Sequence, residues 1–197
     1  MEVNLRELVG NWDKGFALHK HTLSSVFTGD NQFGHPTFDT TRTEPGEALH
    51  QLKYRSNFDQ VAPLAQAILN HIVPVIGQFG IVIPMPATKQ RARQPVHEIA
   101  EMLGKLTGAL YAPKLLVKNP PLPDAPEIKN LGTKAEKVAA LAERFAINEA
   151  IIGNDGKWGA LLIDDLYDTG ASAEAACASL RRYAKIGQIF VATCSWK

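Results

Sequence analysis

Gly159-Ala160-Leu161-Leu162-Ile163-Asp164-Asp165-Leu166-Tyr167-Asp168-Thr169-Gly170-Ala171-Ser172 is the stretch on which the fold of this chain turns. Leu161, Leu162 and Ile163 are apolar without alternation, the pattern of a strand buried on both faces. The run ends in two carboxylates, Asp164 and Asp165, at the carboxyl end where open α/β sheets place their ligands. Adjacent acids repel unless a cation or sugar hydroxyls share them. Residues 168–172 form a small, hydroxylated turn that opens a helix predicted over 173–184. Backbone N–H groups at such a helix start lie unpaired at the positive end of the dipole and suit an anion. Diol-binding acids beside a phosphate cradle describe a phosphorylated ribose. Two plainer readings stand beside it. The acid pair also suits a Walker B element, whose G-x-x-x-x-G-K-[ST] partner this chain lacks. The turn also suits an ordinary strand–helix joint in which Asp168 or Ser172 merely caps the helix. An EF-hand fails on spacing and on the missing distal Glu.

Working outward, Ile81, Val82 and Ile83 read as a second buried strand, stopped by Pro84 and Pro86. Ala87, Thr88, Lys89, Gln90, Arg91, Ala92 and Arg93 then lead into a helix over 95–107 with the stripe Val96, Ile99, Ala100, Leu103 and Leu106. A cationic loop between strand and helix is a second anion site or, more plainly, a solvated basic loop. A strand is predicted over 111–117. Residues 118–126 are too proline-dense for a helix or a central strand and form a lid or a stiff connector. A helix over 133–143 follows, with Val138, Leu141, Ala142 and Phe145 on its apolar face. Residues 154–157 make a turn before the first-quoted stretch. After that stretch, Ala176, Leu180 and Tyr183 share a helix face, Gly187 suits the stop, and 188–193 form the last strand.

Upstream, residues 1–45 read as a small lobe of short strands: a short helix over 4–9, then extended pieces over 22–27 and 37–40 between turn clusters. A helix begins at Thr43 or Glu44 with Pro45 in its first turn. Lys53 and Arg55 at its end are solvated charges or place Lys53 toward a phosphate. A second helix over 59–72 buries Val61, Leu64, Ala65, Ile68, Leu69 and Ile72. Alternating strands and helices over 46–197 define an α/β domain with a mainly parallel sheet flanked by helices.

Composition sets the outer limits. The chain has 197 residues, 45% hydrophobic and 21% charged, which is ordinary for a soluble globular protein. A net charge of +1 gives no electrostatic case for nucleic acid or membrane. Cys177 and Cys194 read as small buried residues of a cytoplasmic protein, not as a disulfide or zinc framework. His19, His21 and His35 lack the matched ligands of a metal site.

The strand, acid pair, two variable residues and Asp-Thr-Gly-small-Ser at 168–172 together resemble the signature of type I phosphoribosyltransferases. That resemblance implies that Asp164 and Asp165 hold the ribose hydroxyls of phosphoribosyl pyrophosphate (PRPP). Asp168, Thr169, Gly170, Ala171 and Ser172 would then line its 5′-phosphate. Ala87, Thr88, Lys89 and Gln90, with Arg91 and Arg93 behind, would hold pyrophosphate, and Lys53 would face it. Mg²⁺ would be held near Asp164 and Asp165 through ribose or water. No residue stands out as a general base; Asp168, beside the phosphate turn nearest the ribose, is the best candidate. Leu52-Lys53-Tyr54-Arg55, Ile83-Pro84-Met85-Pro86 and Arg93 before a helix narrow the resemblance to the ComF branch of phosphoribosyltransferase-like proteins, over about residues 46–196. Many members carry an N-terminal four-cysteine zinc motif, and this chain has no cysteine before Cys177.

The function so implied is Mg²⁺-dependent transfer of phosphoribosyl from PRPP to an unknown nitrogenous acceptor, with release of pyrophosphate. A non-catalytic PRPP or nucleotide binder assisting DNA uptake, the competence role that names the branch, is the alternative. Dimers are common among related proteins, so a homodimer is compatible with the resemblance. The acceptor and the oligomeric state are not written in the sequence.

Overall fold

The computed structural model describes residues 1–89, 91–120, 130–142 and 144–197. Gln90, most of the proline-dense connection and the end of the helix predicted over 133–143 lie outside the described residues. Among the described residues there are ten strands and five α-helices: β1 Arg6–Glu7, β2 Lys14–Lys20, β3 Thr22–Asp30, β4 Pro36–Arg42, α1 Glu44–Tyr54, α2 Val61–Ala67, β5 Ile81–Pro84, α3 Pro95–Thr107, β6 Leu110–Tyr111, β7 Leu116–Lys118, α4 Lys134–Leu141, β8 Phe145–Ile147, β9 Trp158–Tyr167, α5 Ala171–Arg182 and β10 Ile186–Trp196. The main sheet has six strands in the order β1-β2-β10-β9-β5-β6. Only the β1–β2 pair in it is antiparallel. The chain is therefore α/β with a mainly parallel sheet flanked by helices, as the alternation of elements predicts.

Both faces of that sheet are covered, which is why its central strands need no polar alternation. Leu161 and Ile163 pack with Leu49, Leu52, Leu64, Ile68, Ile99 and Leu103 on the α1–α2–α3 face. Ala160 and Leu162 pack with Ala176, Cys177 and Leu180 on the α5 face. All four of these β9 residues are fully buried. At roughly 1.5–3 kcal/mol per fully buried large aliphatic side chain, Leu161, Leu162 and Ile163 each contribute substantially to stability.

Local chemistry sets the helix ends. Thr43 caps α1 by accepting from Gly46 N (3.1 Å) and donates its own hydroxyl to Lys20 O (2.5 Å), fixing the helix to the end of β2. Gly108, at φ +73°, closes α3 in the left-handed conformation. Thr133 and Glu136 form a reciprocal capping box at the start of α4.

Several sequence expectations are corrected. Residues 4–9 are extended rather than helical: Asn4 N donates to Leu18 O and Leu8 N to Gly15 O, so they edge β2. Val3 and Leu5 pack on one core and Leu8 on the other, a spacing no single helix face provides. The strand expected over 111–117 is split, because Pro113 has no N–H for a ladder. Leu110–Tyr111 joins β5, while Leu116–Lys118 pairs antiparallel with Phe145–Ile147. Phe145 consequently opens a strand instead of ending the α4 stripe, and Ala142 is exposed. Leu106, expected on the α3 stripe, is 43% exposed in the last turn. The second helix starts as a 3₁₀ turn at Phe58–Gln60 and widens into a π-turn at Ile68–Ile72, with Pro74 beyond. Gly187 lies inside β10 beside a register shift and does not stop the helix.

Residues 1–45, expected as a small lobe of short strands, supply two different pieces. β2 pairs in parallel with β10 and belongs to the main sheet. β3 and β4 form a separate two-stranded hairpin.

Candidate active site

The decisive strand runs further than its sequence suggests. β9 continues through the acid pair to Tyr167, because β10 keeps pairing with it: Thr193 opposite Asp164, Ser195 opposite Leu166, Trp196 opposite Tyr167. On its other side the pairing stops with Pro84 opposite Ile163, and a last bond runs from Met85 N to Ile163 O (2.8 Å). Pro84 and Pro86 then turn the chain away. α5 connects β9 to β10 on one side and α3 connects β5 to β6 on the other, so the order reverses between β9 and β5. Crevices for ligands form at such a reversal. Here a cavity of about 440 Å³ opens, lined by Met85, Pro86, Asp164 and Asp165 among others.

The strand pleat separates the two acids. Successive side chains point to opposite faces, so Asp165 follows Leu161 and Ile163 while Asp164 follows Ala160 and Leu162. Asp165 accordingly meets α1, where Lys53 Nζ lies 2.8 Å from its Oδ2. Lys53 thus faces the acid pair in this structure and also lines the cavity. Asp164 turns toward α5 and accepts from Asp165 N (2.8 Å). Burial, and then the neighbouring Asp165 carboxylate, push Asp164 up to about 7.

The turn after β9 behaves as its composition suggests. Gly170, at φ +80°, precedes α5 with no side-chain cap. A Cβ there would fall 2.6 Å from Tyr167 Oη, so the turn requires glycine twice over, for conformation and for space. The first ladder bond of α5 runs from Glu174 N to Gly170 O (2.9 Å), which leaves the Ala171, Ser172 and Ala173 N–H groups ahead of the helical ladder. Thr169 Oγ1 accepts weakly from Ala171 N at 3.4 Å. These residues line a second depression of about 290 Å³ with Asp164, Asp168 and Lys137. Asp164, Leu166 and Ser172 line both hollows, making them two compartments of one cleft. Asp168 is 60% exposed, its Oδ2 3.8 Å from Lys197 Nζ.

The cationic loop divides. Ala87, Thr88, Lys89 and Arg91 line the larger compartment, and Gln94 Nε2 folds the loop back by donating to Lys89 O (2.9 Å). Arg93 does not line it. Its guanidinium grips Glu98 with two bonds (2.8 and 2.7 Å) and stacks 3.7 Å over Phe58.

Three further residues line the compartment, of which Lys118 and His97 carry no signal strong enough to single them out in the sequence. Lys118, ending β7, donates to Thr88 Oγ1 (3.0 Å). Burial and the Arg144 charge hold its ammonium below the usual lysine range, and Asp164 opposes that shift. His97, in the first turn of α3, is held below its usual value by burial and is neutral at pH 7. Tyr54, 67% exposed, forms part of the rim with its ring 5.2 Å from that of His50. Lys118 lay at the edge of a proline-dense segment and His97 within an ordinary amphipathic helix, so neither broke its local pattern. Lys53, Lys89, Arg91 and Lys118 outnumber the two carboxylates in the compartment, which favours a ligand with several negative charges.

No family model matches this chain, and no curated protein matches it. Among solved structures, an adenine phosphoribosyltransferase aligns over 87% of this chain and 85% of its own at 14% identity, with a TM-score of 0.44. The Saccharomyces cerevisiae adenine phosphoribosyltransferase, complexed with an imino-altritol bisphosphate and adenine, gives 14% identity, 87% and 84% coverage and a TM-score of 0.43. That of Leishmania tarentolae gives 11% identity, 96% and 94% coverage and a TM-score of 0.44. Likenesses this distant say nothing of the chemistry or the acceptor of this chain. Among the described residues, no helix is long and apolar enough to cross a membrane.

Proposed function

We propose that this chain is a phosphoribosyltransferase of the type I kind: it binds PRPP, transfers the phosphoribosyl group to a nitrogenous acceptor and releases pyrophosphate. The observation that carries the reading is the cleft with two compartments sharing the wall Asp164, Leu166 and Ser172. One compartment is a helix-start turn suited to a single phosphate. The other is a cation-rich hollow suited to a diphosphate. The acids between them suit the ribose that joins the two.

In that arrangement the N–H groups of residues 171–173 hold the 5′-phosphate, with Thr169 and Ser172 hydroxyls beside them and Lys137 adding charge. Asp164 and Asp165 accept from the ribose hydroxyls, and Lys53 passes from Asp165 toward the diphosphate. Lys89, Arg91, Lys118 and Thr88 stabilise the departing pyrophosphate as positive charge builds on C1′, so the site acts by positioning and electrostatics. Asp168 is the candidate acid–base group.

Among the described residues no cluster of three or more His, Cys, Asp or Glu makes a metal site on its own. Mg²⁺ needs no such cage, because it takes one or two carboxylates together with substrate oxygens. Asp164 and Asp165 fit that role, and Mg²⁺ bound there would neutralise diphosphate charge. The Lys53–Asp165 pair also suits a protein that binds PRPP without turning it over. The competence role implied by the ComF resemblance gains no support from the comparisons or from the near-zero net charge.

The test is incubation with PRPP, Mg²⁺ and a panel of nucleobases and amines while pyrophosphate release is followed. Acceptor-dependent release, reduced in Asp164→Asn, is the expected result. PRPP binding without release under any acceptor would make the chain a binder. No PRPP binding would overturn the reading altogether.

A further inference from the structure

Of the cations around the larger compartment, Lys53 alone is bound to a carboxylate among the described residues. Lys118, by contrast, rests on the neutral hydroxyl of Thr88. Lys53 Nζ lies 2.8 Å from Asp165 Oδ2, and the two side chains are only 19% and 21% exposed. Water screens such a pair poorly, so each charge depends on the other.

The backbone beneath Lys53 is fixed. Its neighbour Leu52 and Leu49 one turn back are each 1% exposed and anchor α1 in the core. What can move is the side chain, a flexible four-carbon stem ending in a point charge that passes readily between acceptors. That stem already borders the compartment suited to a diphosphate.

Asp165 therefore has two claims on it. It is one of the two acids to which a bound ribose would donate its hydroxyls, and it already holds an ammonium. A carboxylate whose charge is shared with an ammonium accepts a hydroxyl less strongly than a free one, because charge-assisted bonds are roughly twice as strong as neutral ones. Asp164 carries no ion pair among the described residues, and its Oδ1 accepts from Asp165 N (2.8 Å).

On the reading of the cleft as a PRPP site, we propose that Lys53 couples its two halves: a ligand carrying a diphosphate draws the ammonium off Asp165 and so gives the sugar a fully charged acceptor. Ribose 5-phosphate offers Lys53 no diphosphate and binds with Asp165 half-neutralised. The phosphoribosylated product is in the same position once pyrophosphate has left. Lys53 then returns to Asp165 and loosens the product. One side chain thus favours PRPP over both its own fragment and its product.

Calorimetric titration at constant Mg²⁺ tests this, with PRPP, inorganic pyrophosphate and ribose 5-phosphate as ligands. The proteins are the full chain, Lys53→Met, Asp165→Asn and the double variant. Lys53→Met should tighten ribose 5-phosphate by roughly three- to tenfold while weakening pyrophosphate and PRPP by about tenfold. Lys53→Gln, with a polar end where Met would destabilise the fold, should give the same signs. Asp165→Asn should tighten pyrophosphate by about tenfold in the parent, where Lys53 no longer has a partner to leave, and much less in the Lys53→Met background. Direct repulsion between Asp165 and the diphosphate acts in both backgrounds, so the difference between them isolates Lys53. Suppose the parent binds PRPP, but the Lys53 variants hold ribose 5-phosphate no better than the parent, or Asp165→Asn helps equally in both backgrounds. Either result overturns the coupling and leaves the PRPP site standing. A parent that binds no PRPP overturns the site itself, and the coupling with it.

Discussion

The two halves of β9 have opposite physical characters, though one strand carries both. Ala160, Leu161, Leu162 and Ile163 are wholly buried, with neighbours on both sides and both faces. From Asp164 to Tyr167 the strand keeps its partner on the β10 side and loses the one on the β5 side. The first half holds the second in place. It also decides, through the pleat, that Asp165 meets Lys53 while Asp164 faces the helix-start turn. A site that needs two carboxylates close together, but not pointing at each other, gets that geometry from adjacent positions on a rigid strand.

The largest effect should come from breaking the buried half. Leu162→Ala empties a fully buried position and should cost roughly 2–5 kcal/mol of unfolding free energy by denaturant titration. PRPP affinity of the folded fraction should hardly change, which would separate scaffold from site.

Asp164→Asn should show the reverse pattern. Losing a charge-assisted bond to a ribose hydroxyl, about 1.5–3 kcal/mol, weakens PRPP binding by on the order of 10–100-fold in calorimetry. Stability should be unchanged or raised, because an acid whose ionised form is disfavoured by burial has been removed. The pH dependence sharpens the point. Asp164 is pushed from 3.8 to about 7, so between those values the folded chain keeps a proton that the unfolded chain has lost. The native state is therefore favoured most below the lower value and loses this contribution as pH rises to about 7. His21 and His97, both lowered chiefly by burial, act in the other direction, favouring unfolding as pH falls through the unfolded histidine value. Comparing midpoints of the parent and Asp164→Asn across pH 4–7 isolates the acid, and an identical slope in both would contradict its assignment.

Gly170→Ala comes next. A positive φ and a Cβ only 2.6 Å from Tyr167 Oη should cost about 1–2 kcal/mol and shift the start of α5, weakening the phosphate contact as well. The smallest effect belongs to Arg93→Ala. Because Arg93 is turned onto Glu98 and Phe58, PRPP affinity should change by less than roughly threefold, while Lys89→Ala or Arg91→Ala, each removing a cavity cation, should cost roughly tenfold or more.

Much of this architecture was legible because its signals are local. A short apolar run without alternation, bounded by turn signals, suits a strand covered on both faces, and Pro95 opens α3 where the helix over 95–107 is expected. The acid pair, the glycine turn and Ala87, Thr88, Lys89 and Arg91 fall around one cleft because strand ends at a reversal of order converge. What could not be read depends on contacts distant in sequence. The join of β2 to β10 spans nearly the whole chain. The extension of β9 to Tyr167 depends on Trp196 pairing with it, and Arg93 leaves the cleft because Glu98 and Phe58 attract it. Lys118 reaches Thr88 only because Pro113 breaks one expected strand into two.

The most direct measurement is calorimetric titration of the full chain with PRPP in Mg²⁺, repeated with ribose 5-phosphate and with pyrophosphate as competitors. A cleft with two compartments around one acid pair predicts a single PRPP per chain, and each fragment should weaken that binding by occupying its own half. Absence of PRPP binding, or binding that neither fragment disturbs, would contradict the account.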